Sequence, residues 1–539
     1  MNTLAYSEKS KKAFINGNIF TVNDSQPFAE AVLTNENKIV FVGSTKQVKS
    51  LIDANTIVID LNGKLMLPGF IDNHVHFMNG GFYLLGVDLR KAKTTQEFKD
   101  ILKTYVKLHE GIWITGGDWD HEAWEIKELP KKEWIDSFTQ TTPVFINRFD
   151  AHMALANSYA LKLAGITKDT PDPDGGKIER DPLTGEPTGI LKDNAMPLVL
   201  SVIPEHSEKQ YDGALLAALK EAKVNGFTSV QDITYPNDLK TYQRFERQGR
   251  LTCRIDTRLP ISECKNLITL GIQNCFGSEK LKLGALKAFA DGSLGSSTAL
   301  FFEPYTQDST NCGLQMDTLR DGKMRNWAIE ADKAKLQLSI HAIGDKANSL
   351  VLDIFEEVSR INPIWDRRFR IEHAQHVIKQ DINRFSSLGV IASVQPYHAI
   401  DDGVWAEKRV GKGRLKETYA FKSFLDSGVK LCFGSDWSVA PLNAIYGIYA
   451  AVTRRTLDEK NPGGWIPEQK LTVQQAIKCY TINNAYASFE ENIKGSIEKG
   501  KLADMVVLSD DILTIEPEKI CDVKVDMTIF DGEVIFERK

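Results

Sequence analysis

The sequence predicts an α/β protein built on a (β/α)8 barrel, and three observations predict it. Short apolar runs alternate with helical patterns through the middle of the chain, the signature of a parallel α/β fold. There are eight such runs, the number that closes a barrel, although an open doubly wound sheet can also hold eight strands. Five of the runs carry a metal-capable or ionisable residue at or near the C-terminal end, which is the active-site face of a barrel of this kind.

Taken in order, the first 66 residues read as short strands separated by turns: KAFINGNIFTV, KIVFVGS and TIVIDLNGKLML. Asn16-Gly17 and Asn62-Gly63 are hairpin signals, because both residue types tolerate positive φ. The closing segment repeats this texture in GSIEKGKLADMVVLS and VDMTIFDGEVIFERK. One small β-sandwich domain is therefore expected from residues 1–66 plus 495–539, with Pro68-Gly69 marking where the barrel, 67–494, begins. The eight runs are GFIDNHVHF, FTSVQDIT, CRIDTRL, LGALKAFAD, LQLSIHAIGD, FRIEHAQH, VIASVQP and VKLCFGSDW. From the second run onward they recur every ~25 to 50 residues, whereas ~130 residues separate the first from the second. That gap predicts an insertion after the first barrel strand, roughly residues 82–205, which contains Trp113, Trp119, Trp124 and Trp134. These tryptophans either line an apolar binding site or pack a small inserted core.

Composition excludes several function classes. At 539 residues the chain exceeds the ~300 that one core usually serves, so a large domain and a smaller one are expected. Its 42% hydrophobic and 26% charged residues match an ordinary globular protein. The net charge of -6 comes from intermixed Lys and Glu without a basic block, which argues against nucleic acid as a partner. No apolar run approaches the ~18 residues of a membrane span, and MNTLAYSEKSKKAF lacks the apolar centre of a signal peptide, so no membrane partner and a cytoplasmic location are expected. Seven cysteines, at 253, 264, 275, 312, 432, 479 and 521, form no CxxC pair and read as reduced, mostly buried thiols.

The strand-end residues are His74 and His76, Lys287, His341, His373 and Asp436. Side chains alternate along a strand, so His74 and His76 point to one side together with Asp72. Imidazole nitrogen with carboxylate oxygen suits Zn2+ and similar first-row ions better than Ca2+ or Mg2+. Each residue also has an ordinary reading: a lone His341 or His373 hydrogen-bonded in the core, Asp436 capping a helix, Lys287 paired elsewhere.

LPGFIDNHVH, LKAFADGSLGSSTAL, IHAIGD, RIEHAQ and FGSDWSVAPLNA together resemble the amidohydrolase superfamily, and more narrowly its YtcJ-like branch (amidohydrolase family 3), which includes N-substituted formamide deformylases. The resemblance covers nearly the whole chain. It implies a barrel holding one or two divalent ions, Zn2+ foremost: His74, His76 and Asp436 on the more buried ion, His341 and His373 on the outer one. Lys287 stands where related enzymes bridge the pair with an N-carboxylated lysine; a protonated lysine has no lone pair and repels cations. The implied reaction is hydrolysis of a non-peptide C-N bond in a small amide or N-substituted formamide. A metal-activated hydroxide attacks the carbonyl, and Asp436 serves as proton shuttle. Ester, lactone or phosphoester hydrolysis, a mononuclear deaminase, and a non-catalytic binding or assembly protein are the alternatives.

Substrate contacts are expected from Asp150 and His152 in RFDAH, late in an insertion that would act as a lid, and from Tyr397, His398 and Asp402 in QPYHAIDD. Asp72 and Asp291 are expected behind the ligands, orienting them. His376, three residues after His373, should face away and support the neighbouring helix. Ser297 and Asp193 depart from the residues frequent in the branch, arginine and glutamate. A small-molecule substrate is the expected partner, with a homodimer allowed.

Overall fold

The computed structural model describes residues 11–149 and 152–539. Eight strands form a parallel sheet: β1 Phe70–Val75, β2 Phe227–Ile233, β3 Arg254–Pro260, β4 Leu281–Phe289, β5 Gln337–Ala342, β6 Arg370–His373, β7 Ile391–Val394 and β8 Leu431–Phe433. They pair in chain order from β1 to β8, the arrangement that successive right-handed βαβ units produce. Their residues are buried almost without interruption, which is why the segments read as apolar runs rather than as alternating ones.

The barrel closes where the segments after β1 and β8 meet. The Asp436 N–H donates to the His74 carbonyl at 2.8 Å and the His76 N–H to the Trp437 carbonyl at 2.7 Å. Asp72 ties the same seam, accepting the backbone N–H of His74 and of Ser435, each at 3.0 Å. Gly434 makes the approach possible, since a Cβ there would lie 2.6 Å from both Asn73 Oδ1 and the His74 nitrogen.

The two chain ends share a pair of sheets. One runs Lys38–Gly43, Ala31–Asn35, Lys12–Ile15, Ile57–Asp60. The other runs Glu533–Glu537, Val525–Phe530, Met505–Leu508, Leu65–Pro68, Asn18–Phe20, Phe28–Ala29. Phe14, Val32 and Ile39 from the first pack with Ile19, Met66, Met505 and Ile529 from the second. The hairpin expectation at the two Asn-Gly pairs is corrected here. Asn16 and Asn62 do adopt positive φ, 55° and 50°, but each turn joins strands that belong to different sheets. Turn chemistry reports the backbone bend; which strands then pair is set by the facing apolar surfaces.

A second compact unit spans Asn79–Ala217, longer at both ends than the 82–205 read from the sequence. Its six-stranded sheet runs Gly176–Arg180, Pro187–Asp193, Met153–Ala156, Val144–Arg148, Ile114–Trp119, Val87–Asp88. Trp119 and Trp124 are buried in the core of this unit with Trp134 packed against them, and Trp113 packs on a second cluster. Of the two readings of these tryptophans, core packing is the one the structure supports.

All seven cysteines are free, and Cys253, Cys264, Cys432 and Cys479 are buried. No helix among the described residues is long and apolar enough to cross a membrane.

Candidate metal centre

Five strand ends deliver the six candidate ligands. His74 lies on β1 and His76 just beyond it, Lys287 on β4, His341 on β5, His373 at the end of β6, and Asp436 three residues past β8. Two of them leave ordinary strand geometry: His373 has φ 73° and Asp436 φ 59°, in the left-handed region that non-glycine residues seldom adopt. Regular alternation would send the neighbouring side chains Glu372 and His373 to opposite faces, whereas here both are buried inward of β6 around the ring of His74.

Donor atoms of His74, His373 and Asp436 lie within 4.8 Å of one another, all three residues buried. Asp436 Oδ1 is 3.5 Å from His74 Nε2 and 3.4 Å from His76 Nε2. Two donors each about 2.1 Å from one ion at a tetrahedral angle stand about 3.4 Å apart, so these separations suit a common first-row ion. The rings of His74 and His373 are 4.9 Å apart and those of His341 and His373 4.5 Å. The compact trio takes two members, His74 and Asp436, from the expected inner set and one, His373, from the expected outer set.

The protein also sets the tautomers. His74 Nδ1 faces Glu372 Oε2 at 2.5 Å and His373 Nδ1 faces Gln395 Oε1 at 2.8 Å. Each acceptor keeps the proton on Nδ1 and leaves the Nε2 lone pair for the centre. His341 is the reverse: its Nε2 donates to the Gly292 carbonyl at 3.0 Å, which leaves Nδ1 as the free donor atom. Asp291 anchors the nearby loops by accepting the N–H groups of Leu300, Ile343 and Gly344 at 2.8, 3.0 and 2.8 Å.

Burial holds the His74 and His373 imidazoles neutral. It pushes His74 down to about 4, aided by the Lys287 ammonium and opposed by Glu372 and Asp436. His373 is driven well below its ordinary value by burial and by its histidine neighbours. Burial alone would raise Asp436, but its coupling to the facing His74, His76, His373 and His398 outweighs burial, so a proton taken up by the cluster goes to an imidazole and the carboxyl stays ionised. Neutral imidazoles around an ionised carboxylate form a donor set suited to a divalent cation.

Lys287 is buried, and among the described residues its Nζ has no hydrogen-bond partner. Burial lowers its pKa to about 8 against the pull of Glu372 and Asp436. Asp436 Oδ1 likewise has no hydrogen-bond partner among the described residues. The orphaned Asp436 oxygen among imidazoles fits a site built to hold a cation, and the orphaned Lys287 amine fits it once its ammonium charge is removed, because a buried group without a partner is otherwise costly.

Glu372 was not singled out from the sequence. It is fully buried and, besides facing His74, accepts from Arg258 Nη1 at 3.1 Å and Ser339 Oγ at 2.7 Å, with Arg370 Nε 3.1 Å away and Ser393 Oγ also donating. Burial would raise its pKa, yet Arg370, Arg258 and His74 hold it well below the usual carboxylate range. The signal available was a glutamate directly before a strand-end histidine, between that histidine and Arg370.

The expected substrate contacts divide. Asp402 is committed inside the protein, accepting from Tyr419 Oη at 2.6 Å and Gln375 Nε2 at 2.7 Å. Tyr397 is half-buried, and His398 Nε2 is buried with no hydrogen-bond partner among the described residues. His152, exposed in the Asn79–Ala217 unit, has Nδ1 2.9 Å from Asp193 Oδ1, and Asp150 lies outside the described residues. Ser297, at one departure from the branch pattern, is met by a different arginine: Arg409 Nη1 donates to its Oγ at 2.7 Å. His376 is buried and turned to Thr418 Oγ1 at 2.8 Å, away from the cluster.

A model of the amidohydrolase family matches residues 57–536. The protein LONG AFTER FAR-RED 3 of Arabidopsis thaliana is 41% identical over 508 residues, covering 92% of this chain and 86% of its own. The putative amidohydrolase YtcJ of Bacillus subtilis is 31% identical, covering 97% and 98%. The N-substituted formamide deformylase of Arthrobacter pascens is 28% identical, again covering 97% and 98%. Among solved structures, an uncharacterized metal-dependent hydrolase from Pyrococcus horikoshii superimposes with a TM-score of 0.81 at 29% identity, covering 94% of this chain and 99% of that one.

Proposed function

The chain belongs to the amidohydrolase family, and from that premise we propose that it hydrolyses the C-N bond of a small amide or N-substituted formamide at a divalent-metal site. The carrying observation is the buried His74, His373 and Asp436 donor trio beside an unpartnered Lys287 amine. A divalent ion, Zn2+ foremost, supplies a Lewis acid that polarises a carbonyl and lowers the pKa of bound water.

His74, His76, His373 and Asp436 would hold such an ion, with His341 and Lys287 completing a second position. Carboxylation of the Lys287 amine would give it anionic oxygens and remove the cost of a buried ammonium without a partner. Asp436 takes a proton from the attacking water and returns it to the departing nitrogen, a general base followed by a general acid. Glu372 and Gln395 hold the His74 and His373 rings in the required tautomers. His398, whose Nε2 has no hydrogen-bond partner among the described residues, would donate to the substrate. The formamide reading draws on the activity named for the Arthrobacter relative.

The test is metal analysis of the purified protein coupled to an amide, formamide and ester panel, run on native protein and on His74→Ala. Metal-dependent amide or formamide turnover that His74→Ala loses is the expected outcome. Activity that survives metal removal overturns the metal reading, and turnover of esters alone moves the reaction to the acyl-oxygen bond.

A further inference from the structure

One concave region at the C-terminal rim of the barrel is unaccounted for by the chemistry of the centre. A cavity of about 490 Å³ opens beside Lys287 between the ends of β2, β3 and β4, the segment 314–318 and the helix Lys323–Lys333. Its walls are mainly Ile233, Tyr235, Ile261, Phe289, Leu314 and Trp327. That volume lies in the range of small-molecule sites, about 300 to 1,000 Å³.

The charge inventory of this wall is short. Besides Lys287, the charged residue on it is Asp317, whose side chain is 78% exposed and paired with Arg320 at 2.6 Å. Apart from Lys287, which belongs to the centre at the inner end of the hollow, an apolar occupant strands no buried charge on this wall, and a charged one would find there only an exposed and already paired carboxylate. Tyr235, Phe289 and Leu314 are 45%, 41% and 47% exposed although they converge on one concavity. Three large apolar side chains left accessible in a hollow are what a removable apolar ligand covers.

Phe289 joins this hollow to the centre. Its ring centroid is 5.2 Å from that of His341 and 4.6 Å from Lys287 Nζ, while the same residue lines the cavity. A substrate with its reacting carbonyl among the histidines would thus have an apolar surface beginning at the next side chain.

We propose that this cavity binds a bulky apolar group, aryl or branched alkyl, carried by the substrate, and that Phe289, Leu314 and Trp327 set the preference for it. The inference rests on the amide-hydrolase reading for what is attached to that group. The group belongs either to the amine or to the acyl side of the scissile bond. Contact with an aromatic wall favours a ring on either side.

The experiment uses full-length, zinc-loaded protein and two matched series: N-methyl-, N-butyl- and N-phenethylformamide for the amine side, acetamide, pentanamide and 3-phenylpropanamide for the acyl side. We expect kcat/KM to rise at least 30-fold from the smallest to the phenyl-bearing member of one series, and that series identifies the side. Leu314→Glu, which places a carboxylate in the hollow, and Trp327→Gln should each reduce that ratio tenfold or more. Circular dichroism melting confirms that both variants are folded. Equal kcat/KM across both series, or a ratio unmoved in both variants, overturns the proposal. If no amide is turned over, the function proposed above fails separately. Calorimetric binding then decides the cavity: N-phenethylformamide should bind at least tenfold more tightly than N-methylformamide to native protein, with no such difference in Leu314→Glu.

Discussion

His74 Nδ1 and Glu372 Oε2 lie 2.5 Å apart with both side chains buried, so a carboxylate on β6 decides which nitrogen of a β1 histidine is free. Glu372→Gln should weaken divalent-metal binding by roughly 10- to 100-fold, the usual cost of losing a carboxylate behind a ligating histidine. Chelator-competition titration of zinc measures it. Because Arg258 and Arg370 lose their shared counter-charge, a lower melting temperature should accompany the change. Zinc affinity equal to native would mean that Glu372 serves the arginines alone.

Asp436→Asn should keep the fold and bound metal and lose turnover by a factor of order 10² to 10⁴. The amide oxygen can still occupy a coordination position, but the group no longer accepts and returns a proton. Metal content and kcat are measured on the same preparation; an unchanged kcat in a metallated variant would falsify the proton-shuttle role.

His376 should make the native protein acid-labile. Burial, with Arg414 adding to it, pushes its pKa down to about 3. The unfolded chain, with an ordinary value near 6.5, therefore binds more protons below that pH. The contribution is fully present above about 6.5 and is lost progressively as pH falls toward 3. Between pH 7 and pH 5 this amounts to about 2 kcal/mol. Urea unfolding at the two pH values should show that loss in native protein and a smaller one in His376→Gln, whose side chain does not titrate. Equal losses would place the acid sensitivity elsewhere.

Glu490 lies 2.7 Å from Lys494 and 3.2 Å from Lys282, at the N-terminal end of β4, with all three side chains at most 7% exposed. Burial would raise its pKa, but the two lysines hold it down at about 2. Removing one partner of a buried ion cluster typically costs 3 to 5 kcal/mol, so Glu490→Gln should lower the melting temperature strongly, with zinc affinity unchanged in the folded fraction. A thermal scan within a degree or two of native would show that the lysines find other partners.

The sequence alone determined the architecture and pointed to six residues that the structure brings to the strand ends of the barrel. Eight apolar runs announced a barrel because parallel strands covered on both faces must be apolar throughout. Strand-end histidines pointed to a candidate metal site because the C-terminal strand ends form the active-site face of such a barrel. Tertiary structure decided what depends on distance between chain-remote groups. Glu372 was hidden because its partners, His74, Arg258 and Ser339, lie between 33 and 298 residues away, and because the turn at His373 breaks the alternation from which side-chain direction is read. The Asn-Gly turns were legible as bends, but not as crossings between two sheets, since pairing follows the facing surfaces rather than the turn. The grouping of His74 with His373 and Asp436, the committed carboxylate of Asp402 and the apolar hollow beside Lys287 are likewise products of strand order and register, which local residue preference does not encode.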